Sequence, residues 1–502
     1  MYFNSYVFIL AFLPITLIGY FLVNRTKRYQ LGQIWLLLAS LVFIGYLNIQ
    51  YVIITMVSAL IGYGFIMAVA SLQTTIEHRS SNNRLSEKQV EHKKLICGLG
   101  VFTHIAILLY FKYTNFFLEN INQLLGAELP LLKILLPIGI SFYTFQQIAY
   151  LVDCYRDPLI KCDFLEYCLY IMYFPKFLQG PILLHEDMIP ALRDDSNKKF
   201  SIEYFSKGLY IFSLGLGKKV LLADSLALLV DAGYSNIADL NSPSAMLAMV
   251  AYSLQLYFDF SGYCDMAMGV GQMLRIPVPL NFDSPYKATK VTDIWARWHM
   301  TLTRFFTRYV YIPLGGNRKG SARMYVNTFL VFLVSGLWHG AAWTFVIWGI
   351  MHGIAMVISK ALARCRVVFP KVIGWFFTFT FWVFSFAIFR ASSLQEALQL
   401  FERLLNGEMG RLYDGFYEAI EKNIEITLIQ RIDITNILGN YPNILVISLV
   451  LLPLLGCLCM KNSWEKVETF TFTAKKLFVT VVLFFYAMIS LGSVTVFLYA
   501  NF

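Results

Sequence analysis

Asn281-Phe282-Asp283-Ser284-Pro285-Tyr286 opens a stretch that passes through Trp295-Ala296-Arg297-Trp298-His299 and Tyr311-Ile312-Pro313-Leu314-Gly315-Gly316-Asn317-Arg318. It closes on Leu337-Trp338-His339-Gly340-Ala341-Ala342-Trp343. Aromatics, arginines, glycines and two histidines are mixed here, between flanks of long apolar runs. Ionisable residues are expensive at membrane depth and mark function by default. The stretch 281–343 therefore reads as a reaction centre half-sunk in a bilayer.

The composition outside it agrees. Of 502 residues, 58% are hydrophobic and 14% charged, against roughly 25% charged in a soluble domain. Strands of a barrel would alternate in segments of about ten residues, whereas these apolar runs are continuous. The expected class is an all-α polytopic membrane protein. A formal charge of +10 fits Lys and Arg gathered in cytoplasmic loops better than it fits nucleic acid. The eight cysteines (Cys97, Cys154, Cys162, Cys168, Cys264, Cys365, Cys457, Cys459) form no C-x-x-C pair and lie in or beside apolar runs. They read as packing residues, with no zinc site or disulfide framework. The first apolar run has no basic leader and no small-residue cleavage site, so it reads as a retained span.

A span needs roughly twenty apolar residues. Residues 6–23 supply the first, and 34–70 supply two with a break at 48–50. The basic loops after residue 23 and over 77–94 are cytoplasmic by charge, which puts the N-terminus outside. Residues 95–111 and 132–152 read as the next two spans. The pattern then degrades. Pro175, Lys176, Gly180 and Pro181 interrupt 164–184; Lys218, Lys219 and Asp224 sit within 208–230; Asp259 and Asp265 sit within 245–273. Broken helices at that depth need protein or a water-filled cavity around them, so a re-entrant region lining a cavity is expected. Residues 287–323 hold Lys287, Lys290, Arg297, Arg304, Arg308, Arg318, Lys319 and Arg323 against Asp293 alone. That face reads as cytoplasmic, with 295–311 as one interfacial or re-entrant helix. Clean spans follow at 324–338, 343–361 and 372–389. The hydrophilic insert 391–441, net −4, reads as extracellular. Residues 444–460 span, 461–476 lie inside, and 477–498 form the last span with the C-terminus outside. About twelve spans result. There is no visible internal repeat, which counts against a two-fold transporter.

Within this frame His339 is the candidate general base, since imidazole titrates near neutral pH. His299 is a candidate for orienting substrate or steadying a developing oxyanion. Asn281, Trp295, Arg297, Trp298, Arg304, Arg318, Trp338 and Trp343 are candidates for donor and substrate binding. The turn Gly315-Gly316-Asn317-Arg318-Lys319 offers backbone N–H groups to a phosphate, but no lysine–serine pair makes it a P-loop. A nucleotide-like acyl donor such as coenzyme A would suit the basic residues around it. His352 reads as structural. Asp259 and Asp265, six apart, do not share a helix face and are expected to bond arginines of the core stretch. Tyr499, three residues from the end, reads as an interfacial anchor on composition alone.

Several segments resemble a known family. They are Leu136-Pro137-Ile138-Gly139-Ile140-Ser141-Phe142-Tyr143-Thr144-Phe145, then Tyr173-Phe174-Pro175-Lys176 with Gln179-Gly180-Pro181-Ile182, then 257–269, and 281–343 itself. Together, in this order, they resemble the membrane-bound O-acyltransferases, in their bacterial polysaccharide branch, over nearly the whole chain. The resemblance implies a single domain over 1–502 with about twelve transmembrane helices, some broken or re-entrant, around a central tunnel. It implies His339 of Trp-His-Gly as the catalytic histidine and His299 as the second. Acetyl-CoA would be the cytoplasmic donor, as substrate, with no bound cofactor and no metal. The end of the last segment, Phe497-x-Tyr499-x-x-Phe502, resembles the branch's acyl-transfer motif, where the tyrosine carries the acyl group; Ala500-Asn501 departs from it where relatives often have an aromatic. An extracellular SGNH-type acetyltransferase or esterase partner, and a place in the bacterial cytoplasmic membrane, are implied with it. Three other readings stay open: D-alanyl or other acyl transfer to teichoic acid or another envelope glycan; a transporter or flippase using Lys218, Asp224, Asp259 and Asp265; and a scaffold that only docks an extracellular enzyme.

Overall fold

A computed structural model describes residues 1–77, 87–160, 163–421, 442–492 and 495–498. These are helices joined by short connections, and their one strand-like pairing is a bridge between Phe282 and Trp298. Among the described residues, five helices are long and apolar enough to cross a bilayer: Val7–Asn24, Ile49–Leu72, Lys88–Leu125, Trp343–Arg364 and Lys371–Arg390. Tyr29–Gly45 and Asn443–Cys459 are shorter apolar helices. The break expected at 48–50 falls between Tyr29–Gly45 and Ile49–Glu77.

The helix Ser242–Leu274 is the centre of the molecule. Every residue of 251–271 is buried, and a helix apolar and covered all round is a core element. Two hydrophobic clusters meet on it. Tyr263, Met266, Val270 and Leu274 join the cluster built from the N-terminal helices. Leu254, Phe258 and Phe260 join the one containing Trp295, Trp298, Trp348 and Trp382. The expected interruption does not occur: the chain stays helical through Asp259, Gly262 and Asp265. It can do so because Ile202–Gly217 crosses it through paired glycines. A Cβ on Gly215 would stand 2.5 Å from the Gly262 carbonyl oxygen, and one on Gly208 2.5 Å from that of Gly269. Small residues at seven-residue spacing let two backbones touch. The partner helix does deform, through a π-helical turn at Lys218–Ala223 that leads into Asp224–Ser235.

Other expectations need correction. The helix Glu87–Leu125 has 39 residues, about 58 Å at 1.5 Å per residue, and continues well past the boundary read at residue 111. The span expected at 132–152 begins only at Ile140, where Gly139 adopts φ +76°. Pro130 and Pro137 lack N–H groups, and the preceding stretch is non-helical. Its backbone is satisfied from outside. Asn115 donates to the Leu132 carbonyl and accepts its N–H, both at 2.9 Å. Asn122 does the same for Leu129, again at 2.9 Å each. The segment 295–311 is two short helices, Val291–Arg297 and Met300–Phe306, followed by a π-turn at Thr307–Tyr311. The last span stops at Ile489, after which the chain enters the protein. Of the insert 391–441, Leu394–Asn406 and Gly415–Glu421 are helical, and 422–441 lie outside the described residues. Part of the loop read over 77–94, residues 78–86, lies outside them too.

The glycine contact gives a direct test. Gly215→Val should destabilise the protein by about 1–3 kcal/mol through overpacking against immovable backbone, read as a lower thermal midpoint in detergent. Gly64→Val, where a Cβ meets nothing within 4 Å, should leave the midpoint in place.

Candidate functional site

The stretch 281–343 is pinned at its start. Asp283 donates its N–H to the Arg297 carbonyl (2.8 Å) and Met300 donates to that of Asn281 (3.0 Å), on either side of the Phe282–Trp298 bridge. This pairing interrupts the helix expected here and turns His299 to φ +46°, an uncommon backbone for a residue with a Cβ. The strain is held by the fully buried Asn281. Its Oδ1 accepts from His299 Nδ1 (3.1 Å), from the Thr301 N–H (3.2 Å) and from the Thr301 hydroxyl (2.9 Å). A carboxamide oxygen only accepts, so His299 Nδ1 carries the proton and a neutral ring keeps its lone pair on Nε2. In that state His299 is built to accept from a hydroxyl, and donation to an oxyanion would need the cation.

His339 is the last residue of Gly320–His339. Its ring sits in an aromatic box, with centroids 4.8 Å from Trp338, 5.0 Å from Trp348 and 5.2 Å from Phe389. Trp338 also faces His299 at 6.3 Å, so one indole stands beside both histidines. Trp348 also faces His352, with ring centroids 4.4 Å apart, so a second indole stands between two histidines. His352 is fixed by the Trp295 indole, which donates to its Nδ1 at 3.2 Å. Indole only donates, so neutral His352 protonates at Nε2.

Lys112 escaped the sequence reading because it falls just beyond the span boundary drawn at residue 111. Its Nζ donates to the carbonyls of Trp338 (2.7 Å) and His339 (2.8 Å). The last carbonyls of a helix have no partner within it, and a cation there also meets the negative end of the helix dipole. A lysine between Phe111 and Tyr113 in an apolar run was the available signal.

The structure brings together Asn281, Trp295, Trp298, His299, Trp338 and His339, with His352. It does not bring the others. Arg297 pairs with Asp293 (2.9 Å) at the edge of the site. Arg304 pairs with Asp187 of His185–Arg193. Arg308 joins Glu186 (2.8 Å) and Asp153 (3.1 Å). Arg318 is exposed on the glycine turn. Trp343 is 54% exposed and bonds Asn120 at 2.9 Å. The aspartates expected to meet arginines meet lysines instead. Lys218 pairs with Asp265 (2.7 Å), and Lys219 with Asp259 (2.7 Å) and Asp224 (2.8 Å). The neighbouring helix presents its π-turn to them, while the arginines are spent on Asp153, Asp187 and Asp293. Tyr499 lies outside the described residues, and the described chain ends at Leu498. His299 and His339 are both closed over, at 0% and 4% exposure. A cavity of about 160 Å³, whose lining includes neither His299 nor His339, lies between Met300–Phe306 and Gly320–His339, from Tyr311 and Lys360 to Trp295 and Ser335.

Comparison with known proteins gives a consistent answer. The family model described as MBOAT, membrane-bound O-acyltransferase family, matches residues 103–395. The peptidoglycan O-acetyltransferase of Helicobacter pylori is 38% identical over 437 residues, covering 81% of this chain and 80% of its own. The "Probable alginate O-acetylase AlgI" of Pseudomonas aeruginosa is 36% identical over 416 residues, covering 81% and 75%. The teichoic acid D-alanyltransferase of Streptococcus thermophilus is 28% identical over 291 residues, covering 50% and 68%.

The Asn281 carboxamide should matter out of proportion to its size. Asn281→Ala leaves His299 Nδ1 and the Thr301 N–H and hydroxyl without their acceptor, at a cost of about 1–3 kcal/mol. A titration of unfolding with SDS should show that loss, and an unchanged midpoint would mean that the bonds do not hold His299.

Proposed function

From the premise that the chain belongs to the membrane-bound O-acyltransferase family, and is an acyltransferase integral to a membrane, we propose that it moves acetyl groups from cytoplasmic acetyl-CoA to a cell-envelope polysaccharide. The observation that carries this reading is the buried pair of histidines on either side of Trp338, with the carbonyl of one gripped by Lys112 and the ring of the other by Asn281. An imidazole at that place is a base held still. His339 takes the proton of an attacking hydroxyl. The oxygen forms its bond to the thioester carbonyl, the carbon–sulfur bond breaks, and the proton passes to the leaving thiolate. His299, its ring fixed by Asn281, assists from the other side of Trp338. The cavity from Lys360 and Tyr311 toward Trp295 and Ser335 supports a donor approach from the basic face.

Tyr499 is proposed as the first acceptor, passing acetyl on to an extracellular SGNH-type partner that acts on the glycan. On this reading the protein sits in the bacterial cytoplasmic membrane with both termini outside. The names of the relatives from Helicobacter and Pseudomonas favour acetyl, and that of the Streptococcus relative keeps D-alanyl as the alternative acyl group. The transporter reading loses support, because Lys218, Asp224, Asp259 and Asp265 are spent on one another or on lysine partners.

His339→Ala at normal membrane abundance should lower O-acetylation of the envelope glycan by at least about 100-fold, the scale of general-base catalysis. Full activity would sink the assignment. The mass of the group released from the glycan by mild base distinguishes acetyl from D-alanyl. Lys112→Met should reduce transfer by about tenfold or more, the scale of losing a bond to a charged group, with Lys112→Arg restoring part of it. Equal loss in both variants would argue against the capping role.

A further inference from the structure

Of the last described residues, 495–498, Phe497 is buried, Thr495 and Leu498 are half-buried and Val496 is exposed. Helix Ala474–Ile489 ends, and the chain turns into the protein onto the ion cluster of Lys219, Asp224 and Asp259. Lys219 Nζ engages one oxygen of each carboxylate, Oδ1 of Asp224 at 2.8 Å and Oδ1 of Asp259 at 2.7 Å. The other oxygen of each is met by the C-terminal segment. The Thr495 hydroxyl donates to Asp224 Oδ2 at 2.8 Å, and the Leu498 N–H donates to Asp259 Oδ2 at 3.0 Å. Between them Lys219 reaches the Val496 carbonyl at 3.5 Å and lies 4.8 Å from the centre of the Phe497 ring. All four residues are touched by the cluster, in which Lys219 and Asp259 are buried and Asp224 is half-buried.

Charge counting explains why. Two carboxylates face one ammonium, so one cation cannot satisfy both. A buried carboxylate oxygen without a donor is costly, and the nearby chain end supplies the missing donors. The cluster is therefore incomplete without the segment, unlike an ion pair that merely joins two helices. A buried ion pair by itself is weak evidence for added stability, so the arrangement asks for another purpose. Further contacts fix the segment laterally. Phe497 is 1% exposed and stands edge-on to Tyr263 at 5.1 Å. The Asn4 amide donates to the Thr495 carbonyl (3.0 Å) and hydroxyl (3.2 Å). The cluster also points at the reaction centre. Asp259 is followed on the central helix by Phe260, whose ring meets that of His299 at 4.9 Å.

We propose that Lys219, Asp224 and Asp259 are positioning residues, a clamp that holds Thr495–Leu498 so that the residue next in sequence, Tyr499, is delivered to the transfer step. The inference rests on the reading of Tyr499 as acyl carrier and adds to it the device that holds the carrier's stem. None of the three touches the acyl group. Their part is to fix the chain on either side of Phe497, from the Thr495 hydroxyl to the Leu498 amide.

The test uses the full chain in nanodiscs, with native membrane abundance as a precondition. Thr495→Val removes the hydroxyl without disturbing the helices, Thr495→Ser restores it, and Asp259→Asn keeps the shape of the acceptor while removing its charge. Hydrogen exchange at the Leu498 amide should quicken by about tenfold or more in Asp259→Asn, the size of a lost charge-assisted bond. Acetyl transfer should fall by a similar factor in Asp259→Asn and Thr495→Val, with KM for acetyl-CoA unchanged, and Thr495→Ser should recover it. Unchanged exchange, or faster exchange with full transfer, overturns the clamp. Tyr499→Phe in the native background separates the two ideas. If it stays fully active, the carrier reading fails and the delivery role falls with it, while quickened Leu498 exchange in Asp259→Asn would still show that the cluster holds the segment.

Discussion

A polar group at membrane depth has no water to turn to, so it must be satisfied by the protein around it. Most of what is irregular in this chain follows from that requirement. Asn115 and Asn122 stand in for a neighbouring strand beside the non-helical residues before Ile140. Lys112 completes the open end of the helix that carries His339. Asn281 gathers three donors and in doing so holds His299 in a left-handed backbone. Lys219 draws two carboxylates together and leaves each with an oxygen that the chain end fills. In each case the cost of an orphaned group, about 1–3 kcal/mol, is avoided by a side-chain contact, 7 residues away for Asn122 and 226 for Lys112.

The same requirement makes the centre rigid. The helix Ser242–Leu274 is enclosed on all sides, and the glycine pairs with Ile202–Gly217 bring two backbones within touching distance. Aromatic side chains then fill the space between this helix and the histidines. Trp338 lies between the two rings, Phe260 carries the central helix to His299, and Trp348 and Phe389 close over His339. An imidazole in such a box has little freedom to reorient, which suits the proposed proton transfer over a short distance.

The fold class was legible because lipid imposes length and composition on anything that crosses it. The runs at 6–23, 343–361 and 372–389 became helices close to where hydropathy put them, and the break near residue 48 fell where its polar residues lie. The reading failed where local composition and backbone state part company. Residues 132–139 are as apolar as a span, yet Pro137 and Gly139 deny them a helix. Residues 295–311 have helical spacing, yet the pairing of Asn281 and Phe282 with Trp298 and Met300 cuts them in two. Neither opposing segment is visible from the other in a linear scan.

By itself the sequence determined that this is a helical membrane protein with a polar, histidine-bearing stretch, and its motifs named the family, because span length, charge bias and motif order are one-dimensional properties. Only the tertiary structure decided which polar residues meet. It sent Arg297, Arg304 and Arg308 to their own aspartates, gave Asp259 and Asp265 to lysines, and put Lys112 under the helix of His339. Hydrogen bonds and ion pairs are settled by distance and angle over a few ångströms, and residues hundreds of positions apart come that close only once the helices have packed.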